Sequence, residues 1–212
     1  MLGIECLLLV PFIIKLPQLS DSGKWMLSYI LCSVIFASGS ALVGQLFGNN
    51  MIFFSIMYML QFIILSMYYM AVIKNRVTRL VILLTIIPVF IIFLLDLYRW
   101  EGFSVYNSYF ASARNIILIV YAILFFLQLL GDEQLIKHSV FINTLPDFWF
   151  NAGLFIYLCS TVMRNLSYNY FSSHPGAATN YILSLSFVAG IIQLILIFIG
   201  LMKVKKSKHG YR

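Results

Sequence analysis

Four charged side chains stand inside, or at the margins of, long apolar runs: Glu5, Asp96, Arg114 and Arg164. An ionised group in hydrocarbon is expensive, so it pairs, faces a polar cavity, or serves a function there. Two carboxylates and two guanidiniums suit two outcomes. They pair and brace the protein, or one arginine is left to hold an anionic or hydrogen-bonding ligand. Arg164, the deepest of the four, is the foremost candidate.

Neutral polar side chains recur around these charges at helical spacing. Arg114, Tyr121 and Gln128 fall seven apart, which puts them on one helix face. Gly153, Tyr157, Ser160, Arg164 and Tyr168 form a second stripe, with Asn151 and Asn165 beside it. Tyr58, Gln61 and Tyr68 form a third, and Ser186, Gly190, Gln193 and Gly200 a fourth. Polar groups facing lipid stay unsatisfied, so the stripes are expected to face the interior, as interhelical hydrogen bonds or as a ligand cavity. The candidate ligand-binding set is Arg114, Arg164, Asn151, Tyr157, Tyr121, Gln61 and Asp96.

Catalytic signatures are missing. The histidines are His138, His174 and His209, all outside the apolar runs, so a histidine-ligated zinc site within a membrane has no ligands. No lysine precedes Lys203 in the last run, so a retinal Schiff base has no anchor. HExxH, GxSxG, CxxC, Walker and GxGxxG patterns do not occur. Asp96 lacks the second carboxylate that an intramembrane aspartyl protease needs. The expectation is a protein that is not an enzyme and takes no metal and no cofactor. Cys6, Cys32 and Cys159 lie within the apolar runs and read as packing.

The elements that must position these residues are plain in the composition. Hydrophobic residues make up 62% of the 212-residue chain and charged residues 10%, against about a quarter charged in soluble domains. A spanning helix takes about 20 largely apolar residues. Candidate spans are 2–19, 25–46, 51–73, 79–97, 112–130, 148–170 and 180–202. The reading is all-α: one seven-helix transmembrane domain over 1–212, or six spans if the first, broken by Pro11, Lys15 and Pro17, falls short. That first segment lacks a basic leader and a small-residue cleavage site, so it is expected to be retained.

Eleven of the 14 basic residues then fall on one side: Lys15, Lys24, Lys74, Arg76, Arg79, Lys137, Lys203, Lys205, Lys206, Lys208 and Arg212. The amino terminus is therefore expected outside and the carboxyl terminus in the cytoplasm, in the inner (plasma) membrane. The net charge of +7 follows this pattern and forms no patch that would neutralise many phosphates, so nucleic acid is not an expected partner. In this topology all four charges lie toward the outer leaflet, with Arg164 about 9 Å inside the end of the sixth span. An outward-facing crevice between helices 4, 5 and 6 is expected.

Two connections have substance. Residues 98–111 hold Trp100, Phe103, Tyr106, Tyr109 and Phe110, read as an interfacial aromatic belt in preference to a ligand lid. Residues 131–147 carry Asp132, Glu133 and Asp147 around an apolar stretch, Leu135 to Leu145, expected as an interfacial helix and as the docking surface for a cytoplasmic partner. The basic tail from Lys203 to Arg212 suits anionic lipid.

Three stretches carry a resemblance: Tyr58-Met-Leu-Gln-Phe-Ile-Ile-Leu-Ser66, Tyr109 through Arg114-Asn115, and Pro146-Asp-Phe-Trp-Phe-Asn-Ala-Gly-Leu-Phe-Ile-Tyr157. With them the chain resembles a family of bacterial seven-helix integral membrane proteins of about this length, whose motifs are structural. Similar modules accompany sensor histidine kinases, which implies a sensing or signalling accessory. The chain departs from that pattern at Gln61, where a glutamate is expected, which weakens any role for a buried acid there. Pro17-Gln18 matches the dipeptide of the PQ-loop transporters, but neither a second Pro-Gln nor a repeated three-helix unit follows.

The leading expectation is a non-enzymatic sensory module that binds a small molecule or lipid and acts through a membrane or cytoplasmic signalling partner, or through a second copy of itself. The first alternative is a small-solute transporter or channel. The second is a structural subunit of a larger membrane complex, using the small residues Ala37, Ser40, Ala41 and Gly44 for close helix contacts.

Overall fold

Local sequence signals set the helix ends. In the computed structural model the described residues are 2–132, 141–173 and 177–204, without the side chains of 171–173 and 177–179. Pro17 opens a 3-10 turn, Leu16–Gln18, so α1 (Leu2–Ile14) stops short of the expected residue 19. The Ser20 hydroxyl accepts the Gly23 N–H at 3.2 Å and starts α2 (Asp21–Phe47), which ends where Gly48 turns left-handed at φ 71°. The three-residue turn Gly48–Asn50 leads into α3 (Met51–Val72). Asn75 caps α4 (Arg76–Leu95), accepting the Val77 N–H at 2.9 Å. A π turn, Asp96–Trp100, follows α4, and after it come α5 (Ser108–Leu130), α6 (Pro146–Ser173) and α7 (Ala177–Lys203).

The described residues form seven α-helices and no strand. Five stretches are long and apolar enough to cross a membrane: α2, α3, α4 with its π turn, α5, and α7 from Asn180. At 13 residues α1 reaches only about 20 Å. Although long, α6 owes its lower hydropathy to the asparagines, serines and arginine of its polar stripe.

Neighbouring helices close into a ring: α1 on α2, α2 on α3, α3 on α5, α5 on α6, α6 on α7, and α7 back on α1. Outside it, α4 packs on α3 and α5. At the end shared by α1 and α7, the Lys15 ammonium donates to the Leu201 carbonyl at 2.9 Å, satisfying an orphan acceptor in the last turn of α7. Nearby, the Gln128 amide donates to the Val72 carbonyl at 3.0 Å and accepts the Lys74 N–H at 2.6 Å, clipping the α3–α4 turn to α5.

Asparagines join α5 to α6 along their length. Asn151 donates to the Ala122 carbonyl at 3.1 Å, Asn115 to the Thr161 hydroxyl at 2.9 Å, and Asn165 to the Ala111 carbonyl at 3.2 Å. These are interhelical bonds of the kind apolar surroundings favour. Of the expected interfacial helix at 135–145, residues 135–140 lie outside the described residues and Ile142–Thr144 form a 3-10 turn, and most of the basic tail also lies outside them.

Candidate functional site

Small side chains on one face of α2 leave a space in the ring. Ser33, Ala37 and Ser40 follow each other at helical spacing and face α3, α6 and α7 across a cavity of about 230 Å³. Its walls include Glu5 from α1, Tyr29 from α2, Tyr58 and Gln61 from α3, Tyr157 and Arg164 from α6, and Gln193 from α7. It lies in the half of the bundle that holds the amino-terminal ends of α1 and α3. The small residues of α2 read as packing in the sequence. Ala37 and Ser40 instead line this open volume, while Ala41 is exposed.

Polar groups on the walls are partly organised. The Gln193 amide donates to the Tyr29 hydroxyl at 3.0 Å, and the Gln61 amide to the Ser33 hydroxyl at 3.3 Å. Arg164 is half-buried beside the hydroxyls of Tyr157, Tyr58 and Tyr106. Glu5 is 8% exposed, and its buried Oε2 has no hydrogen-bond partner among the described residues. The wall beside them is aromatic, with Phe36 edge-on to Phe54 at 4.8 Å and to Tyr58 at 5.1 Å.

The candidate residues divide. Arg164, Tyr157 and Gln61 meet at this cavity, whereas Arg114, Asn151, Tyr121 and Asp96 are not on its walls. The stripe from Arg114 to Gln128 does face inward, toward α3. The Arg114 guanidinium lies 4.1 Å over the Tyr58 ring and donates to the Tyr58 carbonyl at 3.0 Å, so its charge is already engaged. Asn151 accepts from the Tyr69 hydroxyl at 2.9 Å as well as donating to α5. The Tyr121 ring packs edge-on to Tyr69 at 5.7 Å.

Two expectations are corrected. The crevice was placed between helices 4, 5 and 6, but the cavity lies among α1, α2, α3, α6 and α7. The reason is visible at Asp96: its Oδ2 accepts the Phe110 N–H at 2.8 Å and caps α5, so its charge marks a helix end. Pairing among the four charges also does not occur. The ion pairs among the described residues are Lys24 with Asp21 at 3.0 Å and Lys74 with Asp132 at 2.6 Å.

Two residues escaped the sequence reading. Glu101 accepts from the backbone N–H of Ser108, from its hydroxyl at 2.5 Å, and from Asn169 at 2.6 Å. It lies seven positions before Ser108, beyond the three-residue spacing that betrays a capping box. Tyr106, read as part of the belt, folds inward at 5% exposure, donating to Asn165 at 2.8 Å with its ring tilted against Tyr168 at 4.4 Å. Phe110, also read as part of the belt, is fully buried, while Tyr98, Trp100, Phe103 and Tyr109 stay exposed. Exposed and buried aromatics therefore share one loop.

Fold and cavity together define a multi-pass helical membrane protein with a polar chamber in one half of its bundle. No family model, curated protein or solved structure matches the chain.

Proposed function

We propose that this chain is a seven-span plasma-membrane protein, amino terminus outside and carboxyl terminus in the cytoplasm, that binds a small molecule or lipid headgroup in its polar chamber. It is a non-enzymatic sensory module, and a separate signalling protein reads its occupancy. One observation carries the reading: inside an apolar bundle, Arg164 faces a cavity of about 230 Å³ with no carboxylate bonded to it among the described residues. A polar cavity of that size holds water or ligand, since leaving its groups bare is costly. The one-sided distribution of lysine and arginine supports the orientation. The signalling half rests on the resemblance to modules that accompany sensor histidine kinases. It requires the ligand to bind two helix arrangements unequally.

Native mass spectrometry of protein taken from its own membrane tests the binding step. The wild type is expected to carry a molecule that Arg164→Ala loses while keeping its helical circular dichroism. A wild type that carries nothing contradicts the reading. Solute flux in proteoliposomes that depends on Arg164 makes the protein a transporter instead.

A further inference from the structure

The chamber presents two unlike charges that do not meet. Glu5 enters from α1 and Arg164 from α6, both line the same cavity, and no bond of 4.0 Å or less joins them. Glu5 is more than nine-tenths buried, and one of its oxygens has no hydrogen-bond partner among the described residues. An unpaired buried charge is costly, and breaking up a buried pair is costlier than never placing one there. A buried carboxylate and a half-buried guanidinium held apart on one chamber suit a molecule that carries the complementary charges on its own frame.

Between them the surroundings suit such a molecule. Phe36 and Phe54 line the chamber and give a cation an aromatic wall, while the Tyr58 ring already carries the Arg114 guanidinium. The hydroxyls of Tyr157 and Tyr29 and the amides of Gln61 and Gln193 supply neutral hydrogen bonds. The volume of about 230 Å³ is below the ~300–1,000 Å³ of pockets that take drug-sized ligands. The occupant is therefore small.

Building on the binding reading above, we propose that the ligand is a small zwitterion, its ammonium facing Glu5 and the aromatic wall and its carboxylate or phosphate facing Arg164. Free amino acids and the phosphoethanolamine headgroup of a lipid share this chemistry.

Thermal unfolding of the full chain in phosphatidylglycerol nanodiscs tests it. The probes are glycine, L-serine, L-phenylalanine and phosphoethanolamine, set against ethanolamine and acetate, which each carry one charge. Nanodiscs containing phosphatidylethanolamine form the lipid arm. At least one zwitterion, free or as lipid headgroup, is expected to raise Tm by several degrees while the one-charge compounds do not. A rise confined to the lipid arm identifies the headgroup as the source. Glu5→Gln and Arg164→Gln are each expected to weaken that binding about tenfold, the scale of one lost charge-assisted bond. Equal shifts from acetate or ethanolamine alone overturn the proposal, as does Glu5→Gln that binds like wild type, or no response to any zwitterion. The wild-type comparison needs no variant, so it holds even if Glu5→Gln fails to fold. A one-charge molecule found in the native mass spectrum and lost with Arg164 contradicts the zwitterion but leaves the binding reading standing. An empty chamber in that spectrum ends both.

Discussion

Arg114 and Arg164 carry the same guanidinium into different circumstances. Arg114, at 4% exposure, is held by the ring and the carbonyl of Tyr58, and it ties α5 to α3. Among the described residues Arg164 has only its tyrosine neighbourhood around it, and it faces open volume. Asp96 and Glu5 differ in another way: each keeps one buried oxygen without a hydrogen-bond partner among the described residues, but the second oxygen of Asp96 caps a helix, whereas Glu5 lines the chamber. Residue type alone separates neither pair, because charge in an apolar run looks alike whether it caps, pairs or binds. The capping assignment has a direct consequence. Asp96→Ala is expected to lower unfolding stability by about 1 kcal/mol, Asp96→Asn by less because its carbonyl still accepts the Phe110 N–H, and neither to change ligand retention. Chemical unfolding in mixed detergent, with native mass spectra of both variants, checks this. Loss of ligand in Asp96→Asn would return Asp96 to the binding site.

At the scale of helices, the most extensive contact is α6 against α7. A Cβ on Gly153 would come within 2.9 Å of the Gln193 carbonyl oxygen, and one on Gly200 within 2.7 Å of the Phe150 ring and 2.9 Å of the Pro146 carbonyl oxygen. Backbone on one side leaves little to give way. Gly153→Ala and Gly200→Ala are each expected to cost about 1–3 kcal/mol by overpacking, while Gly3→Ala, with nothing nearby, is neutral. Because Gln193 also lines the chamber, Gly153→Ala is expected to weaken ligand retention as well. Unfolding midpoints of the three variants decide it, and a neutral Gly153→Ala would mean a looser α6–α7 seam. These seams were partly legible. Helix existence followed from apolar runs of sufficient length, and the stripe of Arg114, Tyr121 and Gln128 pointed to its buried face. The place of α4 outside the ring was not legible, since helices facing lipid and helices facing an apolar core carry the same residues. Nor were Glu101 and Tyr106, whose roles depend on how a loop folds back and have no periodicity to reveal them.

For the molecule as a whole, orientation and span count rest on charge distribution and on the short α1. A cysteine-free background with single replacements separates the cases by labelling intact cells with an impermeant maleimide. Gly3→Cys, Asn49→Cys and Ser104→Cys are expected to react from outside, and Lys74→Cys only after lysis. A Gly3→Cys that reacts only after lysis makes the protein a six-span one with its amino terminus inside. The chamber was half visible from the sequence: Arg164, Tyr157 and Gln61 were named, but α2 was read as packing although its small residues open the space. A cavity is a deficit of volume among several helices, and no single helix records it. The most direct test of the whole account is a density map of the protein purified from its native membrane. Density is expected in the chamber running from Glu5 to Arg164, sized for a small molecule or headgroup. A chamber closed by a Glu5–Arg164 ion pair, with nothing between them, would contradict it.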